Sequence, residues 1–150
     1  MAGLLQSYRD AWTAAGHAGR SKVMLAFHMY CAKTTAEAAA VARVPLNQYL
    51  KSIVDAASGW MSGVSSRDYP NYQKMIEGLS RETFESQVDK GLAWIGTPEE
   101  IRRSIDSYHR SAGGFESASL QVNFGMIGRA EAEASMRLFA REVMPYFAHA

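Results

Sequence analysis

One cysteine, four prolines and no apolar run long enough to cross a bilayer bound what this 150-residue chain can be. A lone Cys31 excludes an intramolecular disulfide framework and a cysteine metal cluster, and it suits a reducing compartment, so a cytoplasmic location is expected. No stretch approaches the roughly 20 apolar residues of a membrane span, and the start lacks a basic flank followed by an apolar leader core. The chain is therefore expected to be neither secreted nor membrane-spanning. Charge of either sign is also scarce in excess: 16 basic against 15 acidic residues leave +1. With no Lys/Arg run and no basic face interleaved with aromatics, nucleic acid is not an expected partner. The four histidines, His17, His28, His109 and His149, are scattered without a ligand spacing, so no metal site is expected. No GxSxG elbow, phosphate-binding P-loop or GxGxxG turn is present, and no internal repeat of fixed period.

What is present is the composition of a folded domain, 47% hydrophobic and 21% charged, and a length suited to a single domain over residues 1–150. Leu4, Leu5, Tyr8 and Trp12 recur at helical spacing before Gly16, which stands where a left-handed helix cap belongs. Val23 to Cys31 is a continuous apolar run that reads as a buried strand. It passes directly into a helix, because Thr34 and Glu37 have capping-box spacing, and that helix runs from Ala38 to about Ala56 with Pro45 as a kink. Ser58 to Pro70, rich in glycine and serine, reads as a long loop. Helical character resumes from Asn71 to Lys90, with Tyr72, Met75, Ile76 and Leu79 on one face and Phe84 and Val88 on a further short helix.

From Gly91 to Phe147 the pattern is strand, helix, strand, helix. Leu92 to Ile95 is the first apolar run. Thr97 and Glu100 form a second capping box with Pro98 at the first helical position, followed by Ile101, Ile105 and Tyr108. Ser119 to Phe124 is the next strand, and a final helix from about Arg129 sets Met136, Phe139, Val143 and Phe147 on one stripe. Met24, Met29, Met75, Met136 and Met144 are expected to fill core gaps. The fold class is thus α/β, with about three parallel strands, each followed by a helix, and a helical insertion after the first pair. A parallel sheet needs crossover helices and burial on both faces, and so small a sheet leaves open edges unless other strands or other chains cover them.

Several segments, taken in order, resemble luciferase-like flavin-dependent monooxygenases of the natural-product biosynthesis branch. They are Tyr8 to Trp12 (YRDAW) with Gly16 and His17; Phe27 to Tyr30 (FHMY) with Thr34 to Ala38 (TTAEA); Tyr69 to Gln73 (YPNYQ); Ile95 to Ile101 (IGTPEEI); and Asn123 to Gly125 (NFG) leading to Leu138 to Pro145 (LFAREVMP). The resemblance implies the carboxy-terminal half of a TIM barrel, in which reduced FMN and O2 oxidise a small organic or natural-product substrate; the alternative is a non-catalytic half-barrel module stabilised by homo-oligomerisation. Eight strands need about 250 residues, so this chain holds only a partial barrel. The implied partners are a missing amino-terminal half or further copies of the chain, a small-molecule substrate, and a flavin reductase as source of reduced FMN.

In barrels of this kind working residues sit at the carboxyl ends of strands. His28 and Tyr30 occupy that place on the first strand and share a face. They are the candidate catalytic pair, able to hydrogen-bond a flavin or relay a proton, or else are half-buried polar residues satisfied by neighbours. Gly96 and Thr97 are candidate cofactor contacts through amides at a helix start, or a plain cap. Asn123 and Gly125 are candidate cofactor contacts, or a strand-to-helix turn, with Gly128 and Arg129 beside them. Trp60, Arg67, Asp68 and Tyr69 are candidates for a mobile lid, or a tolerated surface insertion.

Overall fold

The protein is described by a computed structural model that covers residues 2–61 and 71–148, the side chains of residues 60 and 61 excepted. The elements are α1 (Ala2–Ala14), β1 (Met24–Cys31), α2 (Thr35–Met61), α3 (Tyr72–Leu79), α4 (Phe84–Asp89), β2 (Ala93–Gly96), α5 (Pro98–Ser111), β3 (Ser117–Gln121), α6 (Arg129–Glu142) and α7 (Met144–Phe147). Helix α2 runs through Pro45 and takes in Ser58 to Met61, where a loop is expected; Gly59 in a helix costs only about 1 kcal/mol. The lid candidates Arg67, Asp68 and Tyr69, and the Trp60 side chain, lie outside the described residues.

The three strands form one parallel sheet in the order β2-β1-β3. The carboxyl half of β1 pairs with β2, His28 opposite Ala93 through Cys31 opposite Gly96, while its amino half pairs with β3, Met24 opposite Ser117 through His28 opposite Gln121. The chain steps from β1 to β2 on one side, then back across β1 to β3. Both faces of the sheet consequently receive helices. Phe27, Met29, Cys31 and Trp94 point to one face and pack with Leu5 of α1, with Ile101, Ile105 and Tyr108 of α5, and with Phe139 at the end of α6. Tyr30, Ala93 and Ile95 point to the other and pack with Ala38, Ala42, Leu46 and Leu50 of α2 and with Phe84 of α4.

The first core is aromatic. Phe27 stacks on Trp94 with centroids 4.0 Å apart and meets Tyr108 edge-on at 5.1 Å. Such pairs add about 0.5–1.5 kcal/mol beyond the area they bury. Helix α1 is tied across this layer by Arg9, whose guanidinium donates to the Gly114 carbonyl at 2.5 Å.

Strand β3 ends at Gln121, three residues earlier than the sequence suggests, because α6 takes over beside β1 at that point. The Cys31 amide, facing away from β2, donates to Ser135 Oγ of α6 at 2.7 Å in a buried position. A serine side chain replaces the strand partner that β3 no longer supplies.

Two further expectations change. Of the five methionines expected in the core only Met29 is buried; Met24, Met75, Met136 and Met144 are exposed. The buried stripe of α6 is Ala132, Ser135 and Phe139 rather than one through Met136, since it is the face carrying Ser135 that meets β1. Among the described residues no helix is long and apolar enough to cross a membrane.

Candidate functional site

The carboxyl half of β1 is where the candidate residues converge, because it is the one stretch flanked by β2, by α2 and by the turn after β3. His28 and Tyr30 share the α2 face, as their spacing requires. The His28 ring is half-buried. It meets Tyr49 of α2 edge-on at 4.6 Å and Phe124, beyond β3, edge-on at 5.0 Å. Its Nε2 is buried and has no hydrogen-bond partner. An unsatisfied buried ring nitrogen costs about 1–3 kcal/mol, which a bound group offering a partner would recover. Burial lowers the His28 pKa below its usual value, so at neutral pH the imidazole is uncharged and Nε2 can either donate or accept, according to tautomer.

Tyr30, 6% exposed, lies one pleat further along. Burial first, then the carboxylates of Glu131 and Glu37, push its pKa up, so the phenol stays protonated and can donate a hydrogen bond. The two carboxylates belong to the first turns of α6 and α2. The Glu37 amide donates to Thr34 Oγ1 at 3.1 Å, which starts α2 directly above the strand end.

The remaining candidates have structural partners. Thr97 caps α5 with both halves of the box formed: its Oγ1 accepts from the Glu100 amide at 3.3 Å, and its own amide donates to Glu100 Oε2 at 2.8 Å. Glu100 Oε1 also accepts from the Thr35 hydroxyl at 2.8 Å, which joins the starts of α2 and α5. The anion position at this helix start is thus filled by the chain's own carboxylate. Burial pushes the Glu100 pKa up, but the hydrogen bonds from Thr97 and Thr35 outweigh it and the net shift is downward. Gly96, at φ 154°, leaves room for that carboxylate, because a Cβ there would stand 2.5 Å from Glu100 Oε2. Thr97 is thus the cap of α5, and Gly96, the last residue of β2, makes room for its partner carboxylate.

Gly125 is held against α2: at φ 61°, a Cβ would come within 2.6 Å of the Pro45 carbonyl oxygen. That contact seats the turn which presents Phe124 to His28. Asn123 is exposed in the same turn, two residues past the end of β3, and Arg129 is exposed at the start of α6. The structure therefore brings His28, Tyr30 and the Asn123 to Gly125 turn to one side of the sheet and leaves Gly96 and Thr97 to capping.

Tyr49 and Ser135 complete this region and escaped notice in the sequence, while Phe124 reads there only as the end of the third apolar run and part of the NFG segment. Tyr49 lies three residues after Leu46 and seven after Ala42 on the buried stripe of α2, and Ser135 interrupts the apolar stripe of α6; those periodicities were the available signals. A cavity of about 380 Å³ opens elsewhere, between the end of α4, β2 and α5, lined by Lys90, Arg103, Ser104 and Ser107 among others. None of the candidate residues lines it, and Lys90 there is paired with Glu82. The unpartnered nitrogen of His28, not this cavity, marks the site; Arg9 Nε and Trp94 Nε1 are also buried without a partner, but on the α1 and α5 side of the sheet. Among the described residues no group of three His, Cys, Asp or Glu side chains is placed to hold a metal.

For a flavin the fit divides. The unpartnered His28 Nε2, between Tyr49 and Phe124, offers a polar contact to a flat heteroaromatic ring, whereas the Thr97 and Glu100 amides at the start of α5 are taken up by the cap.

The family profile described as luciferase-like monooxygenase matches residues 1–114. Among solved structures, the chain is similar to the monooxygenase RslO1 of Streptomyces bottropensis, with 27% identity and a TM-score of 0.62, over 96% of this chain and 37% of that one. It is also similar in fold to the oxygenating constituent of 3,6-diketocamphane monooxygenase from Pseudomonas putida, a type II Baeyer-Villiger monooxygenase solved in complex with FMN. There the identity is 21% and the TM-score 0.64, over 94% of this chain and 38% of that one. No curated protein matches. The chain thus spans well under half the length of the structures it resembles.

Proposed function

Because the chain belongs to the luciferase-like monooxygenase family, we propose that it is the carboxy-terminal portion of an FMN-dependent monooxygenase acting on a small organic substrate of natural-product type. The three parallel strands and their helices match part of the barrel-like fold of that family. When bound, FMN in its reduced form supplies the oxygen-activating chemistry. The observation that carries the reading is the buried, unpartnered Nε2 of His28, held between two aromatic rings on the central strand.

In this reading His28 hydrogen-bonds a polar edge of the flavin or substrate and, being uncharged, moves a proton without first losing one to solvent. The protonated Tyr30 phenol orients the same group from one pleat away. Tyr49 and Phe124 exclude water from the imidazole, and Asn123 at the rim offers an amide to a ligand edge. The chain is incomplete on its own: a missing amino-terminal half supplies the phosphate cradle that α5 does not, and a flavin reductase supplies the reduced cofactor. The lone buried Cys31 supports a cytoplasmic setting.

Titration of the purified chain with FMN, followed by flavin absorbance and fluorescence, tests the reading. Saturable binding at micromolar flavin that weakens at least about tenfold in His28→Phe is expected, since the variant keeps the ring packing and removes the nitrogen. No spectral change at millimolar flavin would refute flavin binding by this chain.

A further inference from the structure

The two edges of the sheet are finished differently. Strand β2 is an edge strand, yet all four of its residues are buried, packed by α2, α4 and α5. Strand β3 is the opposite edge, and Ser117, Ala118, Ser119 and Gln121 are exposed. Natural edge strands are blunted by lysine, proline, a bulge or a covering helix, because unpaired amides and carbonyls invite another strand. Ser117 to Gln121 carries none of the sequence devices. The one charge beside it, Glu116, is turned inward: its Oε2 accepts from the Val23 amide at 2.7 Å and its Oε1 pairs with Arg20 at 3.4 Å.

The direction of the free groups follows from the ladder. The Ser117 amide, like that of Glu116, donates to the Val23 carbonyl just before β1, and the parallel register sets Ser117 opposite Met24, Ser119 opposite Ala26 and Gln121 opposite His28. Backbone groups alternate sides along a strand, so Ser119 and Gln121 also face β1 while the amides and carbonyls of Ala118 and Leu120 face outward. A two-fold axis through Ser119 would then set Ala118 opposite Leu120 of a second copy, a hydrogen-bonded pair that the symmetry repeats, with Ser119 opposite Ser119 as the close, non-bonded pair. In that register Glu116 falls opposite Val122, so no like charges meet. The side chains nearest the axis are small, which permits strands to approach to about 4.8 Å.

We propose that a second copy of this chain docks antiparallel on the outer edge of β3, with the two-fold axis at Ser119, giving a continuous six-stranded sheet. The interaction uses neither His28 nor the turn at Phe124, so it stands or falls apart from flavin binding, and it competes with an amino-terminal half that pairs with the same edge.

Sedimentation velocity from micromolar to several hundred micromolar protein tests it, with circular dichroism as the check on folding. The wild-type chain is expected to pass from monomer to dimer over that range. Ala118→Pro removes an outward amide that makes no bond to β1, a place where an edge strand tolerates proline, and should weaken the dimer by roughly tenfold or more because both copies lose a bond. Ser119→Lys sets two ammonium groups directly opposite and should abolish the dimer, as should Ser119→Glu alone. Mixing the Ser119→Lys and Ser119→Glu chains should restore a dimer that contains one of each. A wild-type chain that stays monomeric throughout overturns the proposal. So does a folded Ser119→Lys chain that dimerises as tightly as wild type, or a mixture of the two charged variants that stays monomeric.

Discussion

Replacing Gly125 by alanine probes the contact on which the geometry around His28 depends. Two costs arise at that position, and they are separable. Its φ of 61° lies in the left-handed region, where an L side chain costs about 1–2 kcal/mol. The added Cβ would also stand 2.6 Å from the Pro45 carbonyl oxygen, 3.0 Å from its Cα and 3.1 Å from its carbonyl carbon. All three are backbone atoms of α2, so no rotamer change relieves the overlap, and the turn or the helix must shift at about 1–3 kcal/mol, the usual range for overpacking. The sum is about 2–5 kcal/mol, a large share of the about 5–15 kcal/mol that holds a domain folded. Gly16 supplies the control, because it has φ 72° and nothing lies within 4 Å of where a Cβ would stand, so its alanine variant bears the backbone cost alone. Urea unfolding followed by circular dichroism gives both losses from the shift in midpoint at constant slope. Gly125→Ala should lose about 1–3 kcal/mol more than Gly16→Ala. Equal losses in the two variants would show that the turn does not lie on Pro45, and the seating of Phe124 against His28 would fall with it.

Ser135→Ala should cost about 1–3 kcal/mol in the same assay, because the buried Cys31 amide loses its acceptor; a loss near zero would mean another group satisfies it. The Cys31 thiol, raised to about 11 by burial and then by Glu142, should react with an alkylating reagent at pH 8 only as fast as the protein opens, and prompt labelling of the native chain would contradict its burial. His28 has a folded pKa below the ordinary 6.5, so the unfolded chain binds its proton more readily; stability is fully present above pH 6.5 and falls as pH drops from there through the folded value. That part of the pH dependence should vanish in His28→Phe, and an unchanged profile would place the imidazole in solvent.

Local rules recovered what neighbouring residues decide. Thr97, Pro98 and Glu100 start α5 as their spacing requires, and the three strands lie within a few residues of the apolar runs that announce them. The family likeness came from the order of short motifs, and it holds over residues 1–114. What local rules missed are pairings across the chain. Gly125 needs Pro45, Cys31 needs Ser135, and His28 needs Tyr49 and Phe124, separations that no periodicity within one element encodes. The exposure of Met24 has the same origin: that residue alternates correctly along β1, but the face it points to is not covered at that end of the sheet.

That uncovered end follows from the strand order. Parallel strands present apolar side chains on both faces, and a closed barrel buries one of them against itself while a ring of helices covers the other. Three strands cannot close, so both faces must be covered by helices, and right-handed crossovers achieve this only if the chain reverses its direction of stepping. The return from β2 across β1 to β3 does so, setting α5 opposite α2. One helix cannot span the staggered sheet, however. α2 covers Tyr30, Ala93 and Ile95, and leaves Met24, Ala26 and the outer residues of β3 bare. His28 stands on the boundary between the two zones, half-buried, with its free nitrogen beneath the last covering rings. A residue so placed is dry enough to be uncharged and yet partly exposed along its ring, and both conditions come from the same incomplete cover.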